Sequence, residues 1–136
     1  MDIFVALQKH LISVAEIATE FGNRVYPLLL PQEPVLPAIA YFPMRCDYDE
    51  ALQGQTGFVR QRIQLSIHAR SFARARQLSR IVKESLQDFN GNMQGLTIQA
   101  THILTDISIT KNNQTHYDIE EFVWILEYEF DYLEQG

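Results

Sequence analysis

Cysteine, glycine and long apolar runs are all scarce in this chain of 136 residues. The single cysteine, Cys46, has no partner in the chain, so an internal disulfide is excluded and a reducing compartment is expected. No unbroken apolar run exceeds five residues, so we expect no segment that spans a membrane. The first residues contain no basic stretch followed by an apolar one, so we expect no signal peptide and a cytosolic protein.

The composition is that of an ordinary globular domain, with 46% apolar and 21% charged residues. These proportions exclude a wholly disordered or a fibrous chain. The length predicts a single domain covering residues 1–136, large enough to bury a core without a structural metal. A net charge of −6 argues against a protein that wraps nucleic acid with its whole surface.

The charges are unevenly distributed along the chain. Residues 51–83 contain seven basic and no acidic residues, whereas residues 112–136 contain seven acidic and no basic ones. Such an asymmetry in a short chain calls for either internal pairing of the two blocks or a charged partner.

The hydrophobic pattern predicts an α+β domain in the order α-β-β-α-β-β, with two helices packed on one face of a mainly antiparallel four-stranded sheet. The first helix covers residues 3 to about 20, and the second begins after an N-cap at Ser71 and ends at Asn90 and Gly91. The strands are predicted at residues 38–44, 58–69, 96–109 and 119–133. The last strand places Trp124 on an aromatic face, where we expect it to be buried against the second helix.

Three segments are predicted to connect these elements. Residues 27–37 contain four of the five prolines and apolar residues at nearly every second position, which indicates an extended connection lying on the core. Residues 46–57 and 110–117 contain glycine or polar side chains without a period, which indicates exposed, mobile loops.

No group of residues has the spacing of a catalytic, cofactor or metal site, so we expect no cofactor. The four histidines and Cys46 do not stand at metal-ligand spacings. Ser66 and His68 share a strand face and Asp106 could lie near them, but no nucleophile-elbow pattern surrounds the serine. Glu120, Glu121, Glu127 and Glu129 are typical of a solvated strand face rather than of a paired acid and base.

The basic segment from Arg70 to Lys83 has a functional alternative. Arg76, Arg80 and Lys83 stand at i, i+4 and i+7 of the second helix and so form a cationic stripe opposite its apolar face. The stripe is typical either of a solvated helix face or of a surface that binds phosphate or an acidic partner. It lacks the interleaved aromatic residues of single-strand binders and any known DNA-binding motif.

Several short segments follow one another in a characteristic order and cover most of the chain from Gly22 onward. They are Gly22-Asn23-Arg24-Val25-Tyr26-Pro27, Leu30-Pro31-Gln32, Leu36-Pro37-Ala38-Ile39-Ala40-Tyr41, the arginine-containing strand at 62–69, the alanine-rich helix at 72–78 and the aromatic strand at 122–130. In this order they resemble a family of small tail-completion or tail-terminator proteins of long-tailed bacteriophages and prophages. Before the last strand, only His116-Tyr117-Asp118 is similar to the turn that this family often has.

The resemblance implies a structural, non-enzymatic protein that completes the tail and joins it to the head. It implies a ring, usually a hexamer of identical copies, in contact with tail-tube or head-connector proteins. It also implies a location in the host cytoplasm during assembly and then in the virion, with no membrane partner. Two other functions stay open: a nucleic-acid-binding accessory domain that uses the stripe from Arg70 to Lys83, and a small α+β enzyme.

Eight charged residues are the candidates for contacts with a partner or a second copy. They are Arg60, Arg62, Arg76, Arg80, Lys83, Glu121, Glu127 and Glu129. If the strands that contain them are neighbours, the sheet charges pair internally; if not, one subunit has a basic flank and an acidic flank. We expect a mixture, with Arg76 and Arg80 left for a partner.

Overall fold

The computed structural model describes residues 2–48, 58–109 and 121–133, which contain three helices and six strands. The helices are α1 (Ile3–Ser13), α2 (Ala15–Phe21) and α3 (Phe72–Leu86). The strands are β1 (Val25–Pro27), β2 (Ala38–Tyr48), β3 (Phe58–Ala69), β4 (Gly91–Met93), β5 (Leu96–Ile109) and β6 (Phe122–Leu133).

The six strands form one sheet that curls into a half-barrel, in the spatial order β1-β2-β3-β6-β5-β4. β1 pairs with β2 in parallel, and every other pair is antiparallel. The prediction of four strands and two helices is therefore wrong. The two additional strands, β1 and β4, have three residues each, which is too short for an alternating pattern to be visible in the sequence.

The first predicted helix is in fact two helices that meet at Val14. This residue has an extended backbone (φ −77°, ψ 122°) and ends α1 while it precedes α2. The Ser13 hydroxyl donates to the carbonyl oxygen of His10 at 2.6 Å, a local bond that competes with helix continuation. Gly22 caps α2 with a positive φ of 62°, so the helical segment ends close to the predicted end near residue 20.

The second predicted helix is confirmed as α3. The Ser71 hydroxyl accepts a 3.1 Å hydrogen bond from the backbone N–H of Arg74, as an N-cap does. The apolar stripe of α3 is buried on the sheet and comprises Ala75, Leu78, Val82 and Leu86. The helix ends at Leu86, a few residues before the predicted Asn90 and Gly91.

The connection at residues 27–37 does not lie on the core, so that prediction is wrong. Leu28, Leu29 and Val35 are 52%, 80% and 62% exposed. The predicted extended backbone is interrupted as well, because Leu28 and Glu33 have positive φ values of 66° and 50°. β1 supplies only three residues of pairing before the chain leaves the sheet. Apolar side chains in this segment consequently remain on the surface.

The core lies between the helices and one face of the sheet. β3 contributes Val59, Ile63, Leu65 and Ile67, and β6 contributes Leu126, Tyr128 and Phe130, all almost completely buried. Trp124 of β6 is only partly buried: its ring centroid lies 5.8 Å from that of Phe72 at the start of α3. The predicted strand at 58–69 is thus confirmed as β3, and Trp124 contacts α3 as expected but is not fully buried.

The loop predictions fall largely outside the described residues. Residues 46–48 belong to β2 rather than to a loop, whereas 49–57 and 110–117 lie outside the described part of the chain. Within the ranges that the structure describes, no helix has the length and apolarity needed to cross a membrane.

Candidate interaction surfaces

Opposite charges from β3 and β6 meet on the sheet face that the helices leave uncovered. The register places Arg60 opposite Asp131 and Arg62 opposite Glu129. Arg60 Nε donates to Asp131 Oδ1 at 2.8 Å and lies 3.3 Å from Glu129 Oε1, and Arg62 Nη2 lies 3.5 Å from Glu129 Oε2. Because β3 and β6 are neighbours, the basic and acidic sequence blocks pair inside the molecule here.

Asp131 is the most enclosed member of this ladder, with a side chain only 6% exposed. Its hydrogen bond and charge raise the pKa of Arg60 above the usual arginine range. His102 of β5 adds a third group, with Nε2 3.8 Å from Asp131 Oδ2. A buried carboxylate needs such partners, so we regard Arg60 as structurally committed to the sheet.

Glu121 and Glu127 have different surroundings. Glu121 contacts Nδ1 of His68 directly, at the start of β6. Glu127 lies opposite Gln64 and Thr105 and forms no ion pair with any residue in the described ranges.

Ser66, His68 and Glu121 form a relay with the connectivity of a hydrolytic triad. Ser66 Oγ lies 2.9 Å from His68 Nε2, and Glu121 takes the third place that the sequence suggested for Asp106. However, Ser66 lies within β3 between β2 and β6, opposite Ala40 and Ile125. The backbone N–H groups around it therefore form the hydrogen bonds that hold the strands of the sheet together. The relay connects β3 with the residue that precedes β6.

Asp106 belongs to a separate cluster on the helix face of β5. It accepts hydrogen bonds from Lys83 Nζ at 2.7 Å and from the Trp124 indole N–H at 2.5 Å. Burial alone would raise the pKa of Asp106, but these hydrogen bonds and the charge of Lys83 outweigh it and lower the pKa below its ordinary value. Because Lys83 is paired with Asp106, it does not contribute a free positive charge to the cationic stripe of α3.

Arg76 and Arg80 are the two candidates that point to solvent. Both are exposed on α3, and the side chain of neither forms a hydrogen bond or ion pair within the described residues. They line an open groove of about 680 Å³ beside α2, together with Glu16, Glu84, Phe72 and Ile81. The groove therefore combines two guanidinium groups that form no direct ion pair with two carboxylates and with apolar side chains.

The sheet also has two free edges, on β2 and on β5, which the sequence alone hardly indicates. β1 pairs only with residues 39–41 of β2, and β4 pairs only with residues 96–98 of β5. Among the described residues, the remainder of each strand has no neighbour on its outer side. In the sequence, the only sign of these free edges is that the alternation of apolar and polar residues breaks at Ile103-Leu104. The pattern within one strand does not indicate which of its sides is unpaired.

No group of three or more histidine, cysteine, aspartate or glutamate residues that could hold a metal ion occurs in the described part of the chain.

The architecture defines a class, that of small α+β domains built on a half-barrel sheet. A chain in the solved virion of a native gene transfer agent particle has a similar fold, with a TM-score of 0.68 and 15% identity over 94% of this chain and 92% of that one. A second solved protein of matching length has a TM-score of 0.50 and 16% identity, with 98% and 96% covered. At such identities the likeness concerns the fold alone.

The sequence then identifies the family. The model of the family "Tail completion protein gp17" matches residues 5–120, which is most of the chain. The protein therefore belongs to this family of phage tail structural proteins, and the resemblance noted from the sequence is confirmed. No curated protein matches the chain.

Proposed function

We propose that this protein is a non-enzymatic component that completes the phage tail by forming a ring at its junction with the head. Family membership across residues 5–120 is the observation that carries the proposal. The protein would fold in the host cytoplasm as one domain and enter the virion by contacts with tail-tube or head-connector proteins. A hexamer is the ring that the family resemblance implies.

The surface supports a role in assembly. Among the residues that the structure describes, twelve large apolar ones are exposed, ten of them on β2, β5 and the connection between β1 and β2. Scattered exposed apolar residues are normal, but concentrations of them are typical of surfaces that another protein covers. Burial of these side chains would provide most of the free energy of assembly.

Charge would guide the orientation of the copies. Among the eight candidates, Arg60, Arg62, Lys83, Glu121 and Glu129 have ion-pair partners within the subunit. Arg76 and Arg80 remain for an acidic surface of a neighbour, and Glu127 is a candidate of the opposite sign. A basic-to-acidic contact repeated by rotation is heterologous, and a heterologous contact can close into a ring.

The test is the joint reversal Arg76→Glu and Arg80→Glu, followed by light scattering. We expect the mass of the assembly to fall while the melting temperature of the subunit is unchanged, and the loss to be larger at low salt because salt screens the introduced repulsion. The matched control is Lys9→Glu with Arg45→Glu, which changes the net charge equally at exposed positions outside the basic segment from Arg70 to Lys83.

Three results would contradict parts of this proposal. A double reversal that assembles normally at low ionic strength would show that the α3 arginines are only a solvated face. A wild-type protein that stays monomeric even with purified tails would refute the ring. Salt-sensitive DNA binding that the reversal abolishes would favour the nucleic-acid-binding alternative.

A further inference from the structure

Most of the exposed apolar side chains lie at two opposite edges of the sheet. At one edge they belong to β2 and to the connection between β1 and β2, and at the other edge they belong to β5. Among the described residues, the only two elsewhere are Val5 on α1 and Phe72 on α3. The strand order β1-β2-β3-β6-β5-β4 separates the two groups by most of the width of the sheet. One subunit therefore has two distinct apolar surfaces.

The first surface, which we call the arm patch, comprises Leu28, Leu29, Val35 and Phe42. The Leu28 N–H donates to the Tyr41 carbonyl oxygen at 2.8 Å, which places Leu28 at the start of the unpaired part of β2. The positive φ of Leu28, 66°, ends the extended conformation of β1. The side chain of Leu29 is the most exposed of the large apolar ones in the described ranges. It projects into solvent and gains most from being covered.

The second surface, which we call the β5 patch, has a hollow beside it. The patch comprises Ile103, Leu104, Ile107 and Ile109, which are between 44% and 50% exposed. The hollow has a volume of about 230 Å³ and lies between Leu86 at the end of α3, Ile103 and Tyr128, with polar side chains completing its lining. This volume is below the range of small-molecule pockets and suits one aliphatic side chain.

Neither edge has a backbone suited to a continuous row of added hydrogen bonds. β5 has two register shifts against β6, which leave Gln99 and Leu104 without a partner on that strand. On β2, a register shift follows Pro43, which has no N–H to donate. A contact at either edge therefore depends on side chains more than on strand addition.

The charges around the β5 patch oppose its pairing with the same patch of a second copy. Asp88 lines the hollow and Glu127 lies on β6 beside β5, and neither forms an ion pair within the described residues. The nearby cationic side chain of Lys83 and the ring of His102 have carboxylate partners of their own. Two like patches would bring four uncompensated carboxylates together, and like charges across an interface are unfavourable.

The arm patch has no comparable excess of negative charge. Glu33 and Arg70 line a groove beside Val35, and the other carboxylate of that groove, Glu121, contacts His68. Arg70 is exposed directly after β3 and forms no ion pair within the described ranges. An arm patch thus brings a cation and a projecting leucine to the β5 patch, which has free carboxylates and a hollow.

We propose that the arm patch of one copy docks on the β5 patch of the next copy, with Leu29 inserted into the hollow beside Ile103. The contact joins two different surfaces, so it is heterologous and can be repeated around a ring. A single type of contact would cover both apolar surfaces of every copy without bringing two acidic patches together. The inference rests on the proposed function for its ring and specifies which surfaces hold the copies together.

The experiment blocks one patch at a time in the full chain. Leu29→Glu blocks the arm patch and Ile103→Glu blocks the β5 patch, whereas Val5→Glu introduces the same charge at an exposed apolar site away from both. Light scattering, and sedimentation with purified tails, should show assembly weakened about tenfold or more in both blocked variants, because each buries an unpaired charge. Val5→Glu should assemble as the wild type does. Thermal melts verify folding, and Leu104→Glu replaces Ile103→Glu if that variant does not fold.

An equimolar mixture of the two blocked variants separates this contact from a symmetric one. The mixture retains one intact arm patch and one intact β5 patch, so it should form particles of twice the subunit mass and nothing larger. One contact lacks the avidity of a closed ring, so the mixture is measured at high protein concentration. Each blocked variant alone should remain monomeric under the same conditions.

Several outcomes would overturn the proposal. Normal rings from both blocked variants would place the contact elsewhere, and if those rings no longer bind tails, a tail protein covers the patches instead. Dimers of Leu29→Glu alone would mean that the β5 patch pairs with itself, and a monomeric mixture would exclude the contact. These results leave the ring intact as a proposal. A wild type that stays monomeric with and without purified tails would refute the ring and this contact together, so the two failures are distinguishable.

Discussion

Each flank of the sheet leaves much of one strand unpaired, residues 42–48 of β2 and residues 99–109 of β5, but the side chains on the two strands differ. On β2, Pro43 is followed by a bulge between Pro43 and Cys46 and by the exposed ion pair of Arg45 and Asp47. On β5, the single acidic side chain is instead turned toward α3 and bonded there. Proline and exposed charges hinder strand addition, so the unpaired part of β2 is protected by its side chains, whereas that of β5 is interrupted only by its register shifts at Ile98/Ala100 and Ile103/Thr105.

The largest expected difference between the flanks comes from their aromatic residues. Trp124→Ala should destabilise the protein by about 3 kcal/mol, since it removes the packing on Phe72 and the indole N–H donor to Asp106. Phe42→Ala, at a half-exposed site on β2, should cost less than about 1 kcal/mol. Urea unfolding of both variants measures the free energy of unfolding directly.

Equal losses in these two variants would remove the distinction between the flanks. If Trp124→Ala melts within a degree or two of the parent, the contact between β6 and the start of α3 does not contribute to stability.

A smaller difference is expected between the two edge aspartates. Asp106→Ala removes the acceptor of two hydrogen bonds, one from a cation, and should cost about 1–2 kcal/mol at neutral pH because the site is partly solvated. Asp47→Ala, in a fully exposed ion pair, should cost about 0.5 kcal/mol or less. Chemical denaturation at pH 7 compares them.

The pH dependence provides a second check on Asp106. Its pKa is lowered in the folded state, so its stabilising contribution is present above the unfolded-state pKa and is lost as the pH falls through the lowered folded value. The difference between wild type and Asp106→Ala should therefore shrink on acidification. A difference that stays constant to pH 2 would mean that the carboxylate charge is not responsible.

The smallest change in the free energy of unfolding is expected at Thr101, a buried residue of β5 that lines a cleft beside the end of α3. Thr101→Val replaces a buried, unpaired hydroxyl by a methyl group of similar shape and should stabilise the isolated protein by up to about 1 kcal/mol. A thermal melt of the variant, with Thr105→Val on the same strand as a partly exposed control, measures the effect. A destabilised Thr101→Val would indicate that a bound water already satisfies the hydroxyl.

Regular elements with a full period were predictable, and short or broken ones were not. β3 alternates over twelve residues and α3 begins at a serine cap, so both were located from the sequence. β1 and β4 have no period to detect at three residues each, and the break at Val14 depends on a local Ser13 bond. The Ser66–His68–Glu121 relay was missed because Glu121 is 53 residues from His68 in the chain.

By itself, the sequence determined the α+β class, the β3 and α3 positions, the family and the charge asymmetry, because these depend on local periodicity, capping and residue order. Only the tertiary structure decided that β3 and β6 are neighbours, and hence that Arg60 and Arg62 are neutralised while Arg76 and Arg80 are not. It also decided that β2 and β5 each have a free side. Strand order is set by contacts between residues far apart in the chain, and no local pattern encodes which edge remains unpaired.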